Sequence, residues 1–374
     1  MESHSRLQVV QKFIDSESLI DVETAGQGLE CLVFKAQSPT YSNVVLKIPR
    51  VKVYQNANDF SVEAKSLIQQ ELRIYGLLQD GRVPVPKAYK YLEQDGYPAM
   101  LCEYVDDDGT SVTDEEMGRV AALIHATKEE DLGRTVAMET GDVFSTMEQR
   151  MKRRFGVLAR SVPEASGWIH DWNHIHNILE GLKRFPSSLL HMDFRDVNLR
   201  HDKGHISAVI DWTNALIGPA VIDVYRTLEF SPLGDGFIEG YTGIANFPQI
   251  TAQEECFLRL DAALVLALVF KVEAPDAVRG EIAVARPSGF VALSWTLMPV
   301  AEYKSSRRID EIQFRQKVAF MGLPYSDSQS LPGPIPHESM RSVVRALGPS
   351  PKVSLPDIKV VTGDDYLGSA SDTS

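Results

Sequence analysis

Cysteine is scarce in this chain. Its 374 residues include three, Cys31, Cys102 and Cys256, an odd number set far apart. That excludes a disulfide framework and the Cys-x-x-Cys spacing of zinc and redox sites. No Asn-x-Ser/Thr acceptor occurs, and Met1 to Ser18 is too polar for a secretory leader. A reduced, cytoplasmic setting is therefore expected. Long apolar runs are also missing. The longest, Ala262 to Phe270, is too short to span a bilayer. Basic charge is in deficit: the net charge of −13 and pI of about 5.2 argue against nucleic acid as a partner. A Gly-x-Ser-x-Gly elbow, a Walker loop, a full dinucleotide fingerprint and internal repeats are absent as well. What remains is 44% hydrophobic, enough for a real core, and long enough for two or more structural units. Nothing in the sequence specifies an oligomeric state.

The most informative stretch is His191-Met192-Asp193-Phe194-Arg195-Asp196-Val197-Asn198, followed by Ile210-Asp211-Trp212. Leu189-Leu190 reads as the end of a buried strand, which places Asp193 on a loop where it can reach a substrate. An Asp there can orient a hydroxyl and take its proton, help typically worth roughly 10²–10⁴ in rate. Asn198 offers a neutral oxygen and Asp211 an anionic one, both suited to Mg²⁺. Asp202-Lys203-Gly204-His205 is a turn-type cluster between two short strand-like runs. Folding about it brings Asn198 and Asp211 to one end of a hairpin. Asp211 then ends a buried strand, where a carboxylate must be paired or bind a cation. Together these groups are what phosphoryl transfer from Mg-ATP requires. Taken alone, an Asp-x-x-x-x-Asn is a common loop cap.

The stretch from Leu190 to Asp223 resembles the signature of the aminoglycoside phosphotransferase and choline kinase group, relatives of the protein kinases. The resemblance implies that Asp193 is the catalytic Asp and that Asn198 and Asp211 are Mg²⁺ ligands. It implies that Asp223 braces the catalytic loop, a role close to that of a simple helix cap. Two departures stand out. Met192 occupies a position where the family often has Gly. Arg195 stands where protein kinases usually have Lys; it either neutralises charge on the transferred group or is an exposed loop arginine.

An ATP-binding half is expected upstream. Asn43 to Ile48 is a β-rich run interrupted by Lys47, which lies either on a solvated face or beside a buried anion. Ser61 to Gln79 has helical spacing, with Glu71 on or beside its apolar face. Glu71 is the natural partner for Lys47, and Glu63 is the weaker alternative. This resembles the family's Lys–Glu pair, in which the Lys holds the α and β phosphates. Gly26-Gln27-Gly28 is the candidate turn over the phosphates. Pro98 to Val105 reads as a buried strand running into polar chain. The family likeness makes it the hinge, with Glu103 and Val105 at the adenine.

The expected architecture is α+β: a bilobal protein-kinase-like fold with a small β-rich N-lobe over 15–104 and a larger, mostly helical C-lobe over 105–322. A Ser/Pro-rich tail follows over 323–374, with a short helix near Ser339 to Leu347 and a disordered end from Thr362. The expected function is ATP- or GTP-dependent transfer of the γ-phosphoryl group to a hydroxyl of a small molecule, with an amine as the secondary acceptor and Mg²⁺ as cofactor. The alternatives are an inactive kinase fold used as a binding module, and a kinase acting on protein. Intact Lys47, Asp193, Asn198 and Asp211 argue against the first. The short span between Asp211 and Asp223 argues against the second. Residues 106–131 hold nine acids against Arg119 and Lys128. They are either a solvated face or an acidic rim favouring a cationic acceptor. Trp168 to His176 carries aromatics that pack the helical lobe or line the acceptor pocket. His170 and His174 lack a third metal ligand there.

Overall fold

The computed structural model describes residues 2–27, 30–58, 60–79, 81–127, 142–168, 172–231 and 233–296. Gly28, His170 and the Ser/Pro-rich tail lie outside them. The first half is built on strands β1 (Ile20–Gln27), β2 (Cys31–Ser38), β3 (Ser42–Pro49), β4 (Val53–Gln55), β5 (Phe60–Glu63), β6 (Ala88–Gln94) and β7 (Tyr97–Glu103). Five of these form one sheet in the order β1-β2-β3-β7-β6, with every neighbouring pair antiparallel. Asp95 and Gly96 both take positive φ, which gives the tight β6–β7 turn its hand.

Strand alternation decides what each face of the sheet does. Val44, Leu46 and Ile48 of β3 are buried with Leu92, Ala99 and Leu101. Helix α1 (Glu2–Ser16) covers that face and inserts Phe13, which is wholly buried. Lys47 points to the opposite face, where α2 (Ala64–Leu78) lies. The helical spacing from Ser61 overshoots the true start of α2. Residues 60–63 instead pair with β4, where Val62 and Tyr54 are cross-strand partners and both buried. Aromatic and β-branched residues suit that pleated surface better than a first helical turn.

The second half contains α3 (Asp114–His125), α4 (Val143–Ser161), α5 (Trp172–Leu182), α6 (Ala220–Phe230), α7 (Asp235–Thr242), α8 (Ala252–Leu268) and α9 (Ala277–Thr296). Four short strands interrupt them: β8 (Ser187–Leu190), β9 (Leu199–Asp202), β10 (His205–Val209) and β11 (Leu216–Pro219). The apolar run from Ala262 falls largely in α8, which is buried around much of its circumference in the helical core. α3 and α7 cross so closely that a Cβ on Gly240 would lie 1.9 Å from the Glu115 carbonyl oxygen. The largest core is continuous between the halves, since Ile68, Ile74 and Met100 belong to it with the helical residues. Phe155 meets Trp168 and Trp172 edge-on at 6.1 and 6.2 Å, and the buried His174 bonds Gln253. That aromatic segment therefore packs the helical half. No described helix is long and apolar enough to cross a membrane.

Candidate active site

Lys47 is brought to Glu71 by the pairing of strand face and helix face. Its Nζ lies 2.7 Å from Glu71 Oε2 and 2.9 Å from Asp211 Oδ1. The Tyr75 hydroxyl, one helical turn along α2, donates to Glu71 Oε1 at 2.8 Å. Burial opposes the charge on Lys47, but Asp211 and Glu71 outweigh it and raise its pKa well above the ordinary value. Burial likewise opposes ionisation of Asp211, whose side chain is 40% exposed. Lys47 and the Thr213 hydroxyl outweigh that and hold its carboxyl at about 2. Glu63, the weaker candidate, ends β5 with its side chain exposed.

The second cluster is set up by two antiparallel pairs. β8 pairs with β11, Leu190 opposite Leu216, and so delivers His191 at a fixed place. β9 pairs with β10 about Lys203-Gly204, both at positive φ as a two-residue hairpin turn needs. The Ile210 N–H donates to the Asn198 carbonyl at 2.9 Å, so Asn198 and Asp211 share one end of this hairpin. The Asn198 amide nitrogen donates to Asp193 Oδ2 at 2.8 Å and to the Asp193 carbonyl at 2.9 Å. Its side-chain oxygen is the atom left to act as a ligand.

Asp223 sits in the first turn of α6 and accepts the main-chain N–H of His191 and of Met192, each at 2.8 Å. Burial resists its ionisation, but hydrogen bonding and charge from His125, with the His191 amide, hold its carboxyl below the ordinary range. Pro219, not Asp223, occupies the cap position of α6. Met192 takes φ +64°. That left-handed conformation explains why glycine suits the position. The Asp193 N–H donates to His191 Nδ1 at 3.2 Å, so the Nε2 proton is assigned to the bond with the Ile210 carbonyl at 3.0 Å. The His191 ring rests on the wholly buried Trp212, centroids 4.5 Å apart.

Arg195 is neither a bare cation nor a free loop arginine. It pairs with Asp193: Nη2 donates to Oδ2 at 3.2 Å, while Nε lies 2.7 Å from Oδ1 without hydrogen-bond alignment. Asp193 Oδ1 therefore lies against a positive charge, and among the described residues no aligned hydrogen bond reaches it. At the expected hinge, the Glu103 N–H donates to Lys87 O and the Tyr104 N–H to Asn43 O. Among the described residues the Val105 N–H has no such partner. Gly26 lies within β1 beside an irregularity in its pairing with β2.

The acidic stretch after the hinge divides in two. Asp108 accepts the Lys203 N–H at 2.7 Å, the Thr110 hydroxyl at 2.6 Å and the Thr110 N–H at 2.9 Å, and these bonds lower its carboxyl to about 2. It ties the loop to the β9–β10 turn. Asp107 accepts the Gly109 N–H at 2.9 Å and lines a cleft of about 300 Å³ with Arg200 and His201, whose nitrogens lie 3.9 and 3.4 Å from its carboxylate. Among the described residues no cluster of three or more His, Cys, Asp or Glu is placed to hold a metal ion.

A five-stranded sheet over a helical half, with a Lys–Glu pair above an Asp–Asn–Asp cluster, defines a protein-kinase-like fold. Residues 21–253 match the sequence profile of the phosphotransferase enzyme family. The chain belongs to that family and is a phosphotransferase. Among solved structures it is similar to a provisionally named aminoglycoside phosphotransferase from Ralstonia eutropha, at TM-score 0.51 and 15% identity, over 81% of this chain and 99% of that one. It is also similar to a provisionally named fructosamine-3-kinase from Haemophilus somnus, at TM-score 0.54 and 14% identity, over 76% of this chain and 97% of that one. Likeness at such identities establishes the shared fold. No curated protein matches the sequence.

Proposed function

We propose that this phosphotransferase moves the γ-phosphoryl group of ATP, or of GTP, to a hydroxyl of a small molecule, with an amine as the secondary acceptor. The observation that carries the reading is Asp193 Oδ1. It lies on the loop beside Asn198 and Asp211, and among the described residues its nearest cation, Arg195 Nε at 2.7 Å, is out of hydrogen-bond alignment with it. A hydroxyl bonded to Oδ1 is oriented with its oxygen lone pair toward the phosphorus. As the new P–O bond forms and the bond to the β-phosphate oxygen breaks, the hydroxyl proton passes to Oδ1. Lys47, pinned by Glu71, neutralises charge on the α and β phosphates. The Val105 N–H and the Glu103 carbonyl are the hinge groups for the base, and the chain around Gly26 is the candidate cover for the phosphates. The Nη2 of Arg195 sits beside Asp193 and stabilises charge on the transferred group.

The donor set fits Mg²⁺: one carboxylate oxygen from Asp211 and one amide oxygen from Asn198, few enough that phosphates and water complete the shell. The metal, when bound, neutralises charge on the β and γ phosphates. A small acceptor is favoured over a polypeptide because the eleven residues between Asp211 and Asp223 are used in the Trp212–Asn214 turn, in β11 and in the start of α6. The exposed Asp106 supports a cationic acceptor, while Arg200 and His201 beside Asp107 offset part of that residue's charge.

A thermal-shift titration with Mg-ATP tests the nucleotide half. A ligand at about 100 times its Kd should stabilise the fold by about 2.7 kcal/mol. Asp193→Asn should keep that shift and lose turnover by roughly 10²–10⁴. Asp211→Asn should lose the shift itself. ATP consumption with amines, sugars and amino alcohols then seeks the acceptor. No shift with ATP or GTP, with or without Mg²⁺, would replace the enzyme reading by that of a binding module.

A further inference from the structure

Helix α4 directs three arginines at one short stretch of the sheet-bearing half. Arg150 Nε donates to the Asn58 carbonyl at 2.9 Å. Arg153 donates to the carbonyls of Ala57 and Asn58 at 3.2 and 3.1 Å. Arg154 Nε donates to Asn58 Oδ1 at 2.8 Å. Asn58 lies between β4 and β5, and β5 runs straight into α2, the helix of Glu71.

The chain of contacts continues inward. Arg154 NH1 lies 2.6 Å from Asp261 Oδ1 on α8. The other oxygen of Asp261 meets Arg226 NH1 at 3.3 Å, and Arg226 Nε donates to the Met192 carbonyl at 2.5 Å. Arg154, Asp261 and Arg226 are all under a tenth exposed. Met192 is thus held on both sides, its N–H by Asp223 and its carbonyl by Arg226. A left-handed non-glycine residue persists only where its surroundings over-determine it. Buried charges also resist partial rearrangement, because losing one partner strands the other without water.

We propose that Asp261 is a positioning residue for phosphoryl transfer. Through Arg226 it fixes the turn that aims Asp193, and through Arg154 it makes that turn depend on the docking of the Asn58 segment. This rests on Asp193 being the acceptor-orienting carboxylate, yet the coupling itself is measurable without turnover.

Hydrogen–deuterium exchange on the full chain tests it. Asn58→Ala removes one side-chain acceptor and leaves the main chain in place. Exchange over 56–63 should rise, and exchange over 190–194 should rise with it by about two- to thirtyfold. In an Arg226→Lys background, the same Asn58→Ala change should add nothing over 190–194. Asp261→Asn should behave like Arg226→Lys; should it fail to fold, the Arg226→Lys cycle decides alone. Loosening over 56–63 with 190–194 unmoved overturns the proposal. In hydrolysis of Mg-ATP, with water as acceptor, Asn58→Ala should lower kcat and keep the KM for Mg-ATP. A raised KM with kcat kept also overturns it. A Mg-ATP thermal shift on the same samples separates the two ideas. Coupling without the shift overturns the kinase reading alone; the shift without coupling overturns this proposal alone.

Discussion

Around Lys47 the site is held by side-chain charges; around Asp193 it is held by main chain. Lys47, Glu71 and Tyr75 come from a strand and a helix, and their contacts are ion pair and hydrogen bond between buried side chains. Asp193 is presented by a turn whose N–H groups are gathered by Asp223 and whose bend sits at Met192. The first arrangement fixes where a charge lies. The second fixes which way a carboxylate points. In the proposed roles, phosphate anchoring uses the former and orienting a hydroxyl uses the latter.

If that contrast is right, the charged end should be the more costly to break. Glu71→Ala strands Lys47 in a site where its side chain is 9% exposed. Loss of one partner from a buried pair costs about 3–5 kcal/mol. Asp211 gives Lys47 a second anion, so the lower end of that range is expected. Lys47→Met combined with Glu71→Leu should recover most of the loss in stability and none of the Mg-ATP shift. Urea unfolding of the single and double variants measures the first, and the thermal shift the second. A single variant within experimental scatter of the parent would mean that Asp211 alone satisfies Lys47.

The two ends were not equally legible in the sequence. Lys47, Glu71 and the Asn198–Asp211 hairpin follow from local rules: alternation along β3, helical spacing along α2, and a turn of fixed length. Asp223 as a brace came from family likeness, and its two N–H acceptances leave no mark of their own on the sequence. α1 was missed because its apolar residues are few; Val9, Val10 and Phe13 form a narrow stripe in a polar segment. The Arg154–Asn58 and Arg154–Asp261 contacts span 96 and 107 residues, and no periodicity records them. Asp108 could not be told from Asp107 by composition, because only the folded loop shows which carboxylate meets the β9–β10 turn.

The main-chain end has its own test at Met192. Ordinarily glycine is worse than alanine by about 0.5–1 kcal/mol, through lost conformational freedom. At a left-handed position the order should reverse, since alanine keeps a strain of about 1–2 kcal/mol that glycine lacks. Both substitutions lose a buried methionine side chain, a cost of about 2–5 kcal/mol. Met192→Gly and Met192→Ala should therefore both destabilise, with glycine the milder by about 1 kcal/mol. Chemical denaturation of the pair reads the difference directly. Alanine as the milder change would show that the turn relaxes when its side chain is removed.

The smallest effect joins the two ends at Asp211. Its carboxyl is held at about 2, below the ordinary 3.8, chiefly by Lys47 against the opposition of burial. A carboxyl lowered on folding adds stability that is complete above the unfolded value and is lost as pH falls through the folded one. The window therefore runs from the ordinary 3.8 down to about 2. Because the side chain is 40% exposed, solvent screens much of that gain. Asp108 titrates over the same range and Asp223 is lowered as well, so the acid limb of the parent alone is not diagnostic. The difference between parent and Asp211→Asn is. The parent should lose more stability than the variant on going from pH 4 to pH 2, and the two limbs should run parallel above the ordinary carboxylate range. Added salt should shrink the gap further, because Asp211 meets Lys47 from the solvent side. Parallel limbs throughout would mean that Lys47 answers to Glu71 alone, and that Asp211 stands free to meet a cation without first giving up a partner.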